Sequence, residues 1–95
     1  MPVLMRKEDR EALFLAEQHV AKNYQINSTE LHSQRRTQNV VYARFIVWCI
    51  LRYAYQWSTP KIADVFGKDH STVVDGLQRA EKIGLKKEAL DAFKK

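Results

Sequence analysis

A sixteen-residue stretch that is apolar in almost every position constrains the fold most. The sequence "VVYARFIVWCILRYAY" occupies Val40–Tyr55. At 3.6 residues per turn, a helix would point these side chains in every direction. The β-branched residues would also suit a strand, but sixteen residues without a turn signal favour a helix. A helix that is apolar on all sides must be covered by other elements, so the stretch predicts the central buried helix of a small bundle.

Shorter helices are predicted before this stretch. The first covers about Arg6–Tyr24, with charges on one side and an apolar stripe on the other, formed by Leu13, Ala16, Val20 and Tyr24. Ser28 or Thr29 is expected to cap a single helical turn that ends near Leu31. The polar residues that follow read as a basic loop, which contains Arg35 and Arg36.

A helix-turn-helix is predicted at about residues 58–83. Ser58 suits a helix cap, Pro60 suits the first turn, and Gly67 ends this short helix. Asp69 or Ser71 can then cap a longer helix, "STVVDGLQRAEKI", which is followed by a short terminal helix. In such motifs the second helix enters the DNA major groove with its N-terminal residues towards the bases.

The charge distribution favours a polyanionic partner. The 95 residues suit a single domain, with a formal charge of +5 and a sequence pI near 9.5. Between Leu31 and Lys68 there are six bases and one acid, Asp64. The only charges of the central helix are Arg44 and Arg52, which helical geometry places ~12 Å apart on roughly the same side. Such a cluster is the footprint expected along a phosphate backbone.

Enzyme, metal and cofactor chemistry find no support in the sequence. Asp69, His70 and Ser71 are adjacent, so they project about 100° apart on a helix and cannot form a proton relay. The three histidines and Cys49 have no metal-ligand spacing, and "VFGKDHST" lacks a phosphate-loop pattern. One cysteine, no signal peptide and no membrane-length apolar run indicate a cytoplasmic protein. The simplest structural role for "KDHST" is helix capping, which would explain one of these residues.

The sequence from "RRTQNVVYARF" to "GKDHSTVVDGLQRAEKI" resembles the C-terminal DNA-binding domain of the bacterial replication initiator DnaA. Its elements come in the family's order: a basic loop, "AR" before an apolar helix ending in "LR", a "S-x-P-x-I" helix start, "FG" and "DHSTV". The likeness covers about residues 20–83. It implies an all-α, Trp-repressor-like domain that recognises a short box in double-stranded DNA as a monomer, associated with the nucleoid.

The resemblance also implies residue roles. Arg44 falls on an arginine that reads A·T pairs in the minor groove, and Asp69, His70, Ser71 and Thr72 fall on residues that contact bases in the major groove. Pro60 matches a residue that touches thymine methyls. The remaining expected contacts lie along the backbone or beside the signature: Arg35, Arg36, Arg52, Lys61 and Lys68.

Three departures from the family pattern bear on what this chain does. The turn "FGKDH" is one residue shorter than the usual "FGGRDH", Ser71 replaces a threonine, and Tyr53–Trp57 is unusually aromatic. "MPVLMRKEDREAL" looks like a natural start without the initiator's ATPase domain, so we expect a stand-alone regulator of replication initiation or transcription. The alternative is a protein-interaction module for an initiator or polymerase, using Tyr53, Tyr55 and Trp57 or the first helix.

Overall fold

The computed structural model describes residues 6–33 and 37–93, apart from the side chains of Ser28 and Ala92. These residues form helices joined by short turns, without a strand among them. The all-α fold expected from the sequence is therefore confirmed. In chain order the helices are α1 (Lys7–Tyr24), α2 (Ser28–Leu31), α3 (Gln38–Cys49), α4 (Thr59–Phe66), α5 (His70–Lys82) and α6 (Leu85–Phe93).

Helix α3 is the centre of the bundle, as its all-round apolarity predicted. It contacts α1, α2, α5 and α6. Ile46, Val47 and Trp48 are at most 2% exposed, and Trp48 is the largest of the fully buried side chains. The other helices pack their apolar faces around α3. The position of α5 therefore depends on the α3 side chains that it contacts.

The central helix continues as a π-helical segment, Ile50–Ala54, which the apolar pattern did not predict. Its wider turn is closed by the Tyr55 N–H, which donates to the Ile50 carbonyl at 3.2 Å. The chain then reverses through Gln56, whose φ is +62°. This reversal returns Trp57 to the core, where it is 4% exposed.

The sequence predicted an aromatic surface at Tyr53–Trp57, but most of these rings pack against the rest of the protein. Trp57 is buried, and Tyr55 packs edge-on against Phe93 with ring centroids 5.8 Å apart. Only Tyr53 is exposed among these three aromatic residues. The last two rings turn inwards because the chain reverses at Gln56, after the π-helical segment.

The cap of α2 is also one residue earlier than expected. The Asn27 side chain accepts a hydrogen bond from the Glu30 N–H at 2.9 Å, and the Glu30 carboxylate accepts one from the Asn27 N–H at 3.3 Å. This reciprocal pair is a capping box built on Asn27 rather than on Ser28 or Thr29.

The helix-turn-helix forms as the sequence predicted. Ser58 Oγ accepts from the Lys61 N–H at 3.3 Å and caps α4. Gly67 ends α4 with a φ of +63°, and the Lys68 N–H donates to the Ala63 carbonyl at 2.9 Å. Helix α5 then packs its Val73, Leu77 and Ala80 face inwards. Across the described part of the chain, no helix is both long and apolar enough to span a bilayer.

Candidate nucleic-acid interface

The first residues of α5 form an exposed polar end, which we call the α5 tip (Asp69–Thr72). The Asp69 carbonyl accepts from the Thr72 and Val73 N–H groups at 3.0 and 3.2 Å and so starts the helix. The Asp69 carboxylate, however, makes no capping hydrogen bond. Ser71 lies inside the helix instead of at its cap. Capping therefore does not account for the side chains of the α5 tip.

A hydrogen bond joins the tip to α4. Thr59 Oγ1 and His70 Nε2 are 2.5 Å apart, and either atom can be the donor, depending on the tautomer of the ring. The bond fixes one ring nitrogen of His70 and ties the N-terminal ends of α4 and α5 together. Pro60, next to Thr59, is exposed beside them.

A close contact at Gly76 sets how deeply α5 sits on α3. Gly76 is buried, and a Cβ atom there would lie 2.6 Å from Trp48 Cζ3 and 2.9 Å from Phe45 Cε1. Real Cβ contacts are not that short, so only glycine lets the helix approach these rings. This contact therefore helps to set the distance between the α5 tip and the core.

An open groove of about 510 Å³ runs between α3 and α5 beside the tip. We call it the α3–α5 groove, and it is lined by Val41, Arg44, Phe45, Trp48, Lys68, Thr72, Asp75, Gly76 and Arg79. Three of these side chains are cationic and one is acidic. The acid, Asp75, is bonded to Arg79 Nε at 3.0 Å on the exposed side of α5. The lining of the groove therefore has more basic than acidic side chains, and the groove begins at the tip.

Arg44 is buried, whereas the resemblance implied a side chain that reaches into a minor groove. Its side chain is 6% exposed. Its Nε donates to the Leu31 carbonyl at 2.9 Å, and its Nη2 donates to the Ser33 carbonyl at 3.0 Å. Leu31 precedes the basic loop and Ser33 lies at its start, so Arg44 holds the start of that loop against α3. Sequence reasoning missed this because a charged residue is almost never fully buried unless it has such partners.

Arg52 and Arg44 line different depressions, although helical geometry predicted them on roughly the same side of the central helix. Arg52 lines a depression with Thr59, Val74 and Gln78, whereas Arg44 lines the α3–α5 groove. Arg52 Nη1 also donates to the Trp57 carbonyl at 3.2 Å. The two guanidinium groups thus support different segments of backbone and do not form one cationic patch.

Lys61 is engaged within the protein. Its Nζ lies 2.9 Å from Asp9 Oδ1 and 4.5 Å from the centre of the Trp57 ring. The hydrogen bond from Lys61 lowers the pKa of the Asp9 carboxyl below its usual value, and the Arg6 backbone N–H contributes in the same direction. This pair could not be predicted from the sequence, because the two residues are far apart along the chain.

The remaining expected site residues divide into three groups. The tip residues and Pro60 are exposed together, and Lys68 lines the adjoining groove. Arg35 and Arg36 lie outside the described residues. Arg79 was missed, although its spacing from Thr72 and Asp75 places all three along one side of a helix, which is a signal that could have found it. Within residues 6–33 and 37–93, no group of three His, Cys, Asp or Glu side chains could hold a metal ion.

Comparisons with known proteins match the part of the chain that contains the helix-turn-helix. A family model described as the bacterial DnaA protein helix-turn-helix matches residues 16–80. The chain is 37% identical over 65 residues to the chromosomal replication initiator protein DnaA of a Thermoanaerobacter species, which covers 68% of the chain and 15% of that protein. The DnaA proteins of Geotalea uraniireducens and Limosilactobacillus fermentum are 32% and 36% identical over 81 and 69 residues, covering 84% and 72% of the chain.

These matches are confined to a small part of the relatives. The chain spans about 15–18% of the length of the three initiators. No solved structure gives a significant match.

Proposed function

The chain belongs to the bacterial DnaA helix-turn-helix family, and from this premise we propose that it binds double-stranded DNA sequence-specifically through the α5 tip. The observation that carries the proposal is the exposure of all four tip residues next to a basic groove. Side chains that filled a core would not be exposed, and the Asp69 carboxylate makes no capping hydrogen bond.

In the proposed complex, the α5 tip enters the major groove. Asp69, His70, Ser71 and Thr72 there offer hydrogen-bond donors and acceptors to base edges, while Pro60 approaches thymine methyls. The N–H groups at the start of α5 favour a nearby phosphate. Base contacts of this kind supply sequence preference, whereas phosphate contacts fix the register of the protein on the duplex.

The α3–α5 groove is the proposed path of one sugar–phosphate strand. Lys68 and Arg79 lie along it and can approach phosphates, although Arg79 must share its charge with Asp75. Arg35 and Arg36 are proposed to contact the strand or the adjacent minor groove from the basic loop. Arg44 then acts indirectly, because its bonds to Leu31 and Ser33 determine where that loop begins.

The proposed biological role is that of a monomeric regulator on the bacterial nucleoid. By occupying boxes of the kind that initiators recognise, it would modulate replication initiation or the transcription of nearby genes. The support is the family membership together with the geometry of the tip.

Titration against two duplexes tests the proposed function. One duplex carries a DnaA-type box and the other a scrambled box, and each is measured at two salt concentrations. We expect tighter binding to the box, and His70→Ala should reduce that binding by about 1–3 kcal/mol while changing the scrambled duplex far less. Gln18→Ala, at an exposed position of α1, is the control. Equal affinities that fall together with salt would reduce the protein to a non-specific binder.

A second candidate function, protein interaction, is favoured by one observation on α1. Phe14 and Leu15 are 59% and 46% exposed, and large apolar side chains of this kind are common at protein contacts. A pull-down of a purified replication initiator tests it. Capture that survives His70→Ala but is lost in the Phe14→Ser, Leu15→Ser double variant would support this candidate, and no capture by any form would remove it.

A further inference from the structure

The ion pair between Lys61 and Asp9 joins the start of α4 to the first turn of α1. The Lys61 and Asp9 side chains are 26% and 16% exposed, so the pair is near the surface and not in the core. Asp9 Oδ1 faces Lys61 Nζ at 2.9 Å, and Asp9 Oδ2 accepts from the Arg6 N–H at 3.2 Å. The carboxylate is therefore held in place by its own backbone and presents one oxygen to the ammonium group.

Lys61 belongs to the same end of the helix-turn-helix as the α5 tip. It lies in the first turn of α4, two residues after Thr59, whose hydroxyl bonds His70. Exposed Pro60 separates the two. Phosphates are commonly bound by lysines and by helix N-termini at this kind of position, where the helix dipole also favours an anion. At about 100° per residue, Lys61 projects from the opposite side of α4 to Thr59. The phosphate within its reach would therefore be one that flanks the tip across the start of α4.

We propose that Lys61 is a latent phosphate-binding residue, which exchanges the Asp9 carboxylate for a backbone phosphate when the α5 tip enters DNA. This inference rests on the proposed function. Both partners are oxyanions, and the flexible four-carbon stem of lysine lets the ammonium move from one to the other. Asp9 lies outside residues 16–80, so the competing carboxylate comes from the part of α1 that precedes the family match.

Because of this exchange, Asp9 lowers the affinity for DNA, and it does so by the same amount for every base sequence. Breaking the pair opposes every binding event equally, because a phosphate contact carries no sequence information. Asp9→Asn removes the competing charge and nearly preserves the shape of the side chain. Glu8→Gln is the matched control, since Glu8 is an exposed acid one residue away and undergoes the same change in charge.

The test measures dissociation constants and their salt dependence for five proteins: the native chain, Asp9→Asn, Glu8→Gln, Lys61→Gln and the Asp9→Asn, Lys61→Gln double variant. We expect Asp9→Asn to bind the box and the scrambled duplex about two- to fivefold more tightly than Glu8→Gln does, the range of a single exposed ion pair. Lys61→Gln should weaken binding and reduce the slope of log K against log salt by about 0.9, the value for one phosphate. In the double variant, the gain from Asp9→Asn should disappear.

Two results would overturn the inference: equal affinities for Asp9→Asn and Glu8→Gln, or a Lys61→Gln slope unchanged from the native one. Thermal unfolding of each variant identifies any that fails to fold, and Lys61→Arg, which keeps the cation, should then retain the native slope. Failure of the proposed function has a different signature. The native chain would not distinguish the box from the scrambled duplex, whatever Asp9→Asn does.

Discussion

Arg44 combines a permanent positive charge with a position in the interior. Its guanidinium group is shielded by α3 and bonded to two backbone carbonyls around the start of the basic loop. Those carbonyls lie at the end of α2 and just after it, where no helical N–H is available to them. Arg44 therefore supplies hydrogen bonds that the backbone of this segment would otherwise lack.

A stability measurement distinguishes this role from direct contact with DNA. We expect Arg44→Ala to lower the free energy of unfolding by about 2–4 kcal/mol, because buried carbonyls lose charged donors. Arg79→Ala, which removes an exposed ion pair, should change the free energy by less than about 1 kcal/mol. Urea unfolding of both variants provides the comparison. An Arg44→Ala protein as stable as the native one would contradict the stabilising role of these hydrogen bonds.

Gly76 is a position where the usual ranking of helix formers should reverse. At an exposed helical position, replacing glycine by alanine stabilises by up to about 1 kcal/mol. Here the added methyl would collide with Trp48 and Phe45, so we expect Gly76→Ala to destabilise the protein by about 1–3 kcal/mol. Because α5 must shift to relieve the collision, binding to the box duplex should weaken as well. Thermal unfolding and duplex titration check the two effects, and increased stability would contradict the close packing.

At the scale of the elements, α4 and α5 begin in different ways. Ser58 caps α4 with its side chain, whereas Asp69 starts α5 with its carbonyl alone. We expect Ser58→Ala to lower the free energy of unfolding by about 1 kcal/mol and Asp69→Ala to lower it by less. In the duplex titration the order should reverse, with Asp69→Ala weakening binding to the box more. A larger loss of stability in Asp69→Ala would mean that its carboxylate serves mainly as a cap.

Elements that depend on local chemistry were predictable from the sequence, and those that depend on distant contacts were not. The helix-turn-helix follows from Ser58, Pro60 and Gly67, each of which acts on its own backbone. The π-helical segment at Ile50–Ala54 has no such marker, because it depends on how the end of the central helix fits its neighbours. The exposed tip was predictable because it depends on local chemistry. The burial of Arg44 was not, because it depends on the contact between α2 and α3.

For the whole molecule, counting charges along the sequence overstates how many cations lie on the surface around the tip. Six bases fall between Leu31 and Lys68, but Arg44 is buried, Arg52 lines a different depression from the α3–α5 groove, and Lys61 is paired with Asp9. The excess positive charge is real, yet its distribution over surfaces is decided by tertiary contacts. The groove beside the tip gains Arg79 from outside the counted segment.

The stability of the whole molecule should depend on the ionisation of His19. Burial lowers the pKa of His19 below its usual 6.5, so the folded state binds this proton less readily than the unfolded state does. The stabilisation is complete above pH 6.5 and is lost as the pH falls through the lower, folded pKa. We expect the unfolding temperature to fall more between pH 7 and pH 5 in the native chain than in His19→Gln. Equal falls, measured by circular dichroism, would contradict this.

The bond between Thr59 and His70 has a consequence for which bases the ring can address. With Nε2 engaged, Nδ1 is the imidazole's remaining polar atom. If the threonine hydroxyl donates, Nδ1 carries the hydrogen and suits acceptors such as N7 of a purine; if the hydroxyl accepts, Nδ1 is bare and suits the amino group of cytosine or adenine. The orientation of the hydroxyl on the neighbouring helix thus decides whether His70 donates a hydrogen bond to a base or accepts one from it.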